Sequence, residues 1–491
     1  MVSAPVLIVF IAYLVVLLGL GVWGRRVSGT VEGYYLAEKQ LPSWVIAFSA
    51  NATGESGWLL LGLTGMGYLV GFHALWVVFG EVLGVAVAWL LVARPFKAYS
   101  DRYEAITVPD FLEARFRDDR NRLRIVSTVI ILGMVTAYLV AQLVATGKAF
   151  ETFMGTSYAG GVLLGAAITL FYTSVGGYKA VAYTDFVQGL LMAGGLLVLA
   201  LVGIHSAGGW SSMIETLRAT DPALLMVFGQ HGWSAQGILG ALSFAGIGLG
   251  FLAAPQLLTR FMAARDDRQI VHGGFIAIVC IIIFDLGAVF AGIAGRVVFP
   301  VLNDPETVMP VMSEELFPAL ITGLFVVVVT GAIMSTVDSI LILASSSVVR
   351  DLLQKVLRPS FSDRRLTRYG KMTTIVLGLV AIPFALKEVQ VIFWFVLFAW
   401  SGLASAFAPV VLCSLFWRRT TLQGALVGMI GGCLTVLIWV VAFKSQFYNL
   451  YEMLPGFLVG GALTILVSLL TQPPANIDAE FNAALRRRRD P

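Results

Sequence analysis

Charge is what this sequence lacks most. Only 13% of its 491 residues are Asp, Glu, Lys or Arg, while 58% are hydrophobic and mean hydropathy is +0.86. Soluble domains carry about 25% charged residues, so this composition excludes a water-soluble fold and implies a polytopic membrane protein. Cysteine is also scarce. Cys280, Cys413 and Cys433 stand singly in apolar runs, without metal-type spacing, and read as small core residues. The four histidines, His73, His205, His231 and His272, fall near the ends of apolar runs and form no ligand pair. These absences argue against a haem or transition-metal enzyme, and no enzyme activity or organic cofactor is expected. No positive charge precedes the first apolar run and no small-residue cleavage site follows it, so that run reads as a retained helix. The longest loop is about 30 residues, which leaves no room for a soluble domain.

What remains is hydrocarbon. A membrane crossing needs roughly 20 apolar residues. Thirteen runs qualify: 5–24, 43–70, 73–93, 124–152, 157–177, 182–206, 235–259, 273–300, 311–347, 371–388, 391–417, 421–443 and 450–471. Alternate loops hold about 28 of the 33 basic residues, and these loops are read as cytoplasmic. The N-terminus is then outside and the C-terminus inside, as an odd span number requires. The run Arg486–Arg489 reads as an anchor near acidic lipid. The net charge of +4 follows this topology and gives no argument for nucleic acid. Paired glycines such as Gly160–Gly161, Gly176–Gly177 and Gly194–Gly195 read as close-packing devices between helices.

Two runs break the pattern. Ser49 to Trp58 reads Ser-Ala-Asn-Ala-Thr-Gly-Glu-Ser-Gly-Trp in the middle of the second span. Hydrocarbon tolerates such a stretch only where the backbone is buried in protein or lines a cavity. The stretch is either a kink packed through small residues or a broken helix whose free carbonyls hold a cation or solute. Phe244 to Pro255, with glycines at 246, 248 and 250, is the matching weak point in the seventh span. The two spans are five apart and so enter from opposite sides, which is the geometry of an inverted repeat.

The chain resembles the solute:sodium symporter family. The shared residues are Tyr172-Thr-Ser-Val-Gly-Gly-Tyr-Lys-Ala180, Ala332-Ile-Met-Ser-Thr-Val-Asp-Ser339, and Ala399 to Pro409 followed by Trp417 and Gly424-Ala425. Ser56 to Gly62 and Leu258 to Ala264 bring it nearest the proline-carrying branch. The resemblance runs from about Tyr34 to Leu470. It implies an all-α integral membrane protein with a LeuT-type 5+5 inverted repeat, one extra N-terminal helix and two extra C-terminal helices. The expected units are an added helix in 1–30, repeats at 42–206 and 233–418, two peripheral helices in 420–472, and a basic tail at 473–491.

The resemblance also implies site residues. Sodium, a hard cation, wants oxygen. Carbonyls of Ala52 and Glu55 would meet Ala332, Ser335 and Thr336, which share a helical face at spacings of three and four. Ser335 and Thr336 could instead bond back to their own helix. A second sodium, as in some family members, would use Asp185, Ser335, Asp338 and Ser339. Solute would contact Ser56, Gly57, Trp58, Gly62, Tyr138, Ile247, Phe251 and Pro255, with Gln142 adding an amide one turn from Tyr138; Tyr138 could equally be a core aromatic. Four departures stand out. The proline branch has aspartate where this chain has Gly54, methionine at Glu55, tryptophan at Ile247 and tyrosine at Phe251. Glu55 could serve the sodium, meet a substrate ammonium or carry a proton. Glu81 and Asp285 are further buried-looking acids with no evident basic partner.

The expected activity is therefore sodium-coupled symport of a small solute, proline or a related amino acid, into a bacterial cell across its cytoplasmic membrane. The functional unit is expected to be a monomer in lipid with no nucleic-acid partner. Sodium- or proton-coupled symport of pantothenate or a monocarboxylate is the rival within transporters. A channel would need a continuous polar pore, and a transporter-like sensor would need an attached signalling domain.

Overall fold

Inside lipid every backbone polar group must be paired within the protein, and the α-helix does this segment by segment. The computed structural model describes residues 3–357, 360–387, 392–475, 477, 480 and 481, and among these the regular structure is helical apart from one bridge between Leu41 and Ala264. The Arg486–Arg489 run lies outside the described residues. The principal helices are α1 (Ala4–Gly24), α2 (Ser43–Gly57), α3 (Leu75–Val87), α4 (Arg122–Met154), α5 (Tyr158–Ser206), α6 (Ala235–Gly246) and α7 (Pro255–Ala263). They continue with α8 (Asp267–Val298), α9 (Ala319–Ser346), α10 (Asp363–Ala385), α11 (Ile392–Phe416), α12 (Leu422–Ile438) and α13 (Met453–Leu470).

By length and composition, ten described helical segments can cross a bilayer, against thirteen runs expected. Two of the ten are far longer than one crossing needs: Ser43–Arg102 has 60 residues and Tyr158–Ser206 has 49. The shorter would extend about 74 Å if straight, against a hydrocarbon core of about 30 Å. Gly71 and Gly177, at φ +57° and +62°, interrupt them. A side chain at either position would be strained, so glycine is what lets the chain turn there. Helix α10 falls outside the ten, and its first turns carry Arg364, Arg365, Arg368 and Lys371.

Helix α9 sits at the centre. Every residue from Phe325 to Ser346 is buried, on all faces, as only the middle helix of a bundle can be. Helices α2, α4 and α5 pack around it. On the far side of α2, helix α3 presses its glycines onto the second weak point. A Cβ on Gly84 would stand 2.1 Å from the Gly248 carbonyl oxygen, and one on Gly248 would stand 1.8 Å from that of Gly80. These two backbones touch with nothing between them, the close approach that small residues permit in lipid. At one end of α4, Arg124 is buried and ion-paired to Asp110 at 2.7 Å, to Asp351 at 2.5 Å and to Glu113, while Arg350 reaches Asp110 at 3.0 Å. Burial alone would push Asp110 up, but Arg350 and Arg124 hold its carboxyl below the usual carboxylate range.

Gly248→Ala should lower stability by about 1–3 kcal/mol, the usual cost of forcing atoms into a packed contact. The thermal midpoint of the purified protein measures this. An unchanged midpoint would mean that α3 can slide away from the break.

Candidate ion and solute site

The helical ladder of α2 fails at one residue. Ser56 has φ 44° and ψ −168° although it carries a side chain. Sequence reasoning spread the weakness over Ser49 to Trp58; the structure keeps Ser43 to Glu55 helical and concentrates the break at Ser56. A clasp from α4 holds it there. Gln142 accepts from the Gly57 N–H at 3.3 Å and donates to Ser56 Oγ at 3.3 Å, and the Trp58 N–H donates to the same oxygen at 3.2 Å. Gln142, expected to offer its amide to solute, is thus engaged with the broken backbone.

A helix that stops leaves its last carbonyls without partners. Here α9 takes two of them. Ser335 Oγ donates to the Ala52 carbonyl at 2.9 Å and also lies 2.9 Å from that of Ala332. Thr336 Oγ1 donates to the Thr53 carbonyl at 3.0 Å. Each hydroxyl has one proton, so Ser335 cannot serve both carbonyls at once. The cluster brings together Ala52, Ala332, Ser335 and Thr336 and adds Thr53, which sequence reasoning missed although it stood inside the singled-out stretch. All are buried. The chemistry is oxygen only, from carbonyls and hydroxyls, as a hard monovalent cation requires. The carbonyl of Glu55 accepts instead from the Trp58 N–H.

One turn along α9 lies a charged knot. Arg260, from α7, is 1% exposed. Its Nη2 lies 3.0 Å from Asp185 Oδ2 and 2.6 Å from Thr53 Oγ1, and it also bonds Ser339 Oγ. Its Nε donates to Ser49 Oγ at 3.1 Å and its Nη1 to the Gln256 carbonyl at 2.6 Å. Asp185 and Ser339, expected to hold a second sodium, therefore already share a cation that belongs to the protein. Asp338 points elsewhere on the same helix and accepts from the Tyr172 hydroxyl at 2.8 Å. Arg260 lay within the motif Leu258 to Ala264, but in sequence it reads as one more basic residue at a span end.

The remaining expected residues lie in apolar packing beside the two breaks. Trp58 stacks on Phe393 with ring centroids 5.7 Å apart, and Gly62 lies against the same ring. Phe251 packs on Trp400 at 5.3 Å, and Trp400 Nε1 donates to the Ile247 carbonyl at 3.1 Å, fixing the second break. A Cβ on Gly54 would stand 2.6 Å from the Phe251 ring, so Gly54 faces the second break and Glu55 does not. Tyr138, Gly57 and Pro255 are buried with them. The side chain of Glu55 turns toward Glu81 on α3 and Asp285 on α8.

Comparison with known proteins places the chain and its fold. The profile described as "Sodium:solute symporter family" matches residues 34–432. The high-affinity proline transporter PutP of Bacillus subtilis (strain 168) is 36% identical over 469 residues, covering 94% of this chain and 98% of that protein. The osmoregulated proline transporter OpuE of the same organism is 33% identical over 478 residues, covering 96% of each. Among solved structures, a sodium-coupled sialic acid symporter in its substrate-bound outward-open state aligns with a TM-score of 0.81 at 19% identity, over 96% of this chain and 99% of that one. MhsT in complex with L-phenylalanine aligns at 0.55 and 14% identity, over 87% and 97%. The fold is the LeuT type expected.

Arg260→Ala strands Asp185 as a buried lone charge and should cost about 3–5 kcal/mol, whereas Arg260→Leu combined with Asp185→Leu should recover most of the loss. Thermal midpoints of the single and double variants test this, and equal losses in both would show that the pair is not what holds α7 to α5.

Proposed function

Because the chain belongs to the sodium:solute symporter family, we propose that the solute its sodium gradient drives is proline or a closely related amino acid. Two observations support this reading. The relatives at 33–36% identity are named as proline transporters over nearly their whole length. The aromatic pairs Trp58–Phe393 and Phe251–Trp400 beside the two breaks supply apolar surface that suits a compact, largely apolar solute. A pantothenate or monocarboxylate solute is less favoured, because its carboxylate needs a donor and Glu55 stands near the break.

The coupling ion in this reading sits among the carbonyls of Ala52, Thr53 and Ala332 and the hydroxyls of Ser335 and Thr336. The single observation that carries it is the pair of bonds from α9 to the last carbonyls before Ser56. Glu55 would join through the second lone pair of its carbonyl, the first being taken by the Trp58 N–H. A second sodium on Asp185, Ser335, Asp338 and Ser339 would first require Arg260 to withdraw, so we assign one sodium to this region while Arg260 is in place. The break then serves as the pivot of alternating access: sodium holds α2 against α9 in the shape that binds solute, and its loss frees the two to separate. The direction of transport is inward across the cytoplasmic membrane, with the N-terminus outside and the monomer as functional unit.

The energetics suffice. One charge moving down 100 mV releases about 2.3 kcal/mol, and a tenfold sodium gradient adds about 1.4 kcal/mol. One sodium could sustain a solute ratio of a few hundredfold.

In proteoliposomes, proline accumulation should depend on an inward sodium gradient and vanish when choline replaces sodium; equal uptake in choline, or competition by pantothenate or lactate but not by excess proline, would reject the reading. Ser335→Ala or Thr336→Ala should raise the sodium half-saturation roughly tenfold, as expected for losing about 1.4 kcal/mol of ligation, and parent-like sodium dependence would clear those hydroxyls.

A further inference from the structure

Away from Ser335 and Thr336, on the opposite side of α2, three carboxylates converge. Glu55 comes from the last turn before the break, Glu81 from α3 and Asp285 from α8. One oxygen from each lies within 4.8 Å of the others. Glu55 and Asp285 are 0% exposed and Glu81 is 1% exposed.

Convergence alone would not make a site. The second observation is that the acids find no donor or cation outside their own trio. Both oxygens of Glu55, both of Asp285 and Oε2 of Glu81 are buried without a hydrogen-bond partner. Among the described residues, no Lys, Arg or His forms an ion pair with any of the three. The contrast with Asp185 is direct: that equally buried acid is met by Arg260 at 3.0 Å. Buried carboxylates are ordinarily paired or bound to metal, and acids inside a membrane span mark ion or substrate paths.

Geometry narrows the ligand. An ion held at about 2.4 Å by each of its oxygens needs those oxygens within about 4.8 Å of one another, and this set meets that condition. Carboxylate oxygen selects hard cations and discriminates against those that prefer sulfur or imidazole. The location is also telling. Glu81 follows Gly80, whose carbonyl is in backbone contact with Gly248 in the second break, while Glu55 adjoins the first. An ion here would tie α2, α3 and α8 together where both broken helices pass.

We propose that Glu55, Glu81 and Asp285 form a second inorganic cation site, taking one hard ion of sodium or calcium size through carboxylate oxygen. It is separate from the Ser335–Thr336 site and stands or falls independently of it. If the ion is sodium, it is a second coupling ion. If it is calcium, it is a resident ion that braces the two breaks.

The test uses the purified full-length protein in detergent, with choline chloride keeping ionic strength constant. In a Ser335→Ala/Thr336→Ala background, which disables the first site, the thermal midpoint should still rise saturably with NaCl or with CaCl2. Adding Glu81→Gln or Asp285→Asn should abolish that rise or move its half-saturation at least tenfold. Either variant alone should keep the sodium response of the first site, which shows that it is folded. Equilibrium dialysis with radioactive sodium and calcium counts ions on the wild-type chain, without relying on any variant; two bound cations are expected. A residual rise indifferent to both acid substitutions would overturn the proposal. So would no response to either salt together with at most one bound cation, the result if these acids simply hold protons. A response elicited only by methylammonium would assign the acids to a solute amine instead and would equally overturn it.

Discussion

The structure depends on two hydrogen bonds, from Ser335 and Thr336 to the carbonyls of Ala52 and Thr53. A carbonyl at mid-membrane has no water to turn to, and leaving one unpaired costs about 1–3 kcal/mol. Breaking α2 at Ser56 creates that debt, and α9, buried on every face, brings the hydroxyls of Ser335 and Thr336 close enough to settle it. The break, the buried central helix and the oxygen cluster are therefore one feature. Gln142 completes it by holding Ser56 at a positive φ that a serine does not adopt unaided.

Two clusters of buried acid flank the same broken helix and are handled in opposite ways. On the α9 side Asp185 is met by Arg260, a cation supplied by the protein. On the α3 and α8 side Glu55, Glu81 and Asp285 have no such counterion. An internal guanidinium cannot diffuse away, so the Asp185 knot fixes α7 to α2 and α5 whatever the ionic conditions. An acid cluster without an internal cation responds to what the medium supplies. The asymmetry separates a structural charge pair from a set of groups that can be loaded and unloaded.

Much of this was legible in the chain. Small polar residues inside an apolar run announced the break, since hydrocarbon excludes them otherwise. Spacing placed Ala332, Ser335 and Thr336 on one face. Gly54 and Glu55 were separable too, because neighbours on a helix point about 100° apart, and the structure turns one toward Phe251 and the other toward Glu81. Arg260 was not legible. A basic residue near a span end counts toward orientation, and only the fold shows that its side chain runs inward to Asp185. Phe393 and Thr53 were hidden for a related reason: their roles depend on which helix stands opposite. Gln142 was recognised as an amide near the site, but its engagement with the backbone of Ser56 required the register of α4 against α2.

The oxygen cluster also explains how an ion could drive a conformational change without adding new contacts. A hydroxyl that donates its proton to a carbonyl cannot at the same time aim that proton's direction at a cation. In the proposed reading, a sodium ion shared by these oxygens would be repelled by hydroxyl protons lying between them, so Ser335 and Thr336 would turn those protons aside and present lone pairs, leaving the carbonyls of Ala52 and Thr53 facing the ion in place of a hydroxyl proton. The same atoms join α2 to α9 in both states; only the link between them changes. Without the ion that link is two neutral hydrogen bonds, each worth about 1 kcal/mol net. With it, several oxygens share a full positive charge in a dry interior, where ion–dipole attraction is far stronger than in water. In the proposed reading a loaded break would be stiff and an empty one only lightly held, which is the difference in stability that alternating access requires.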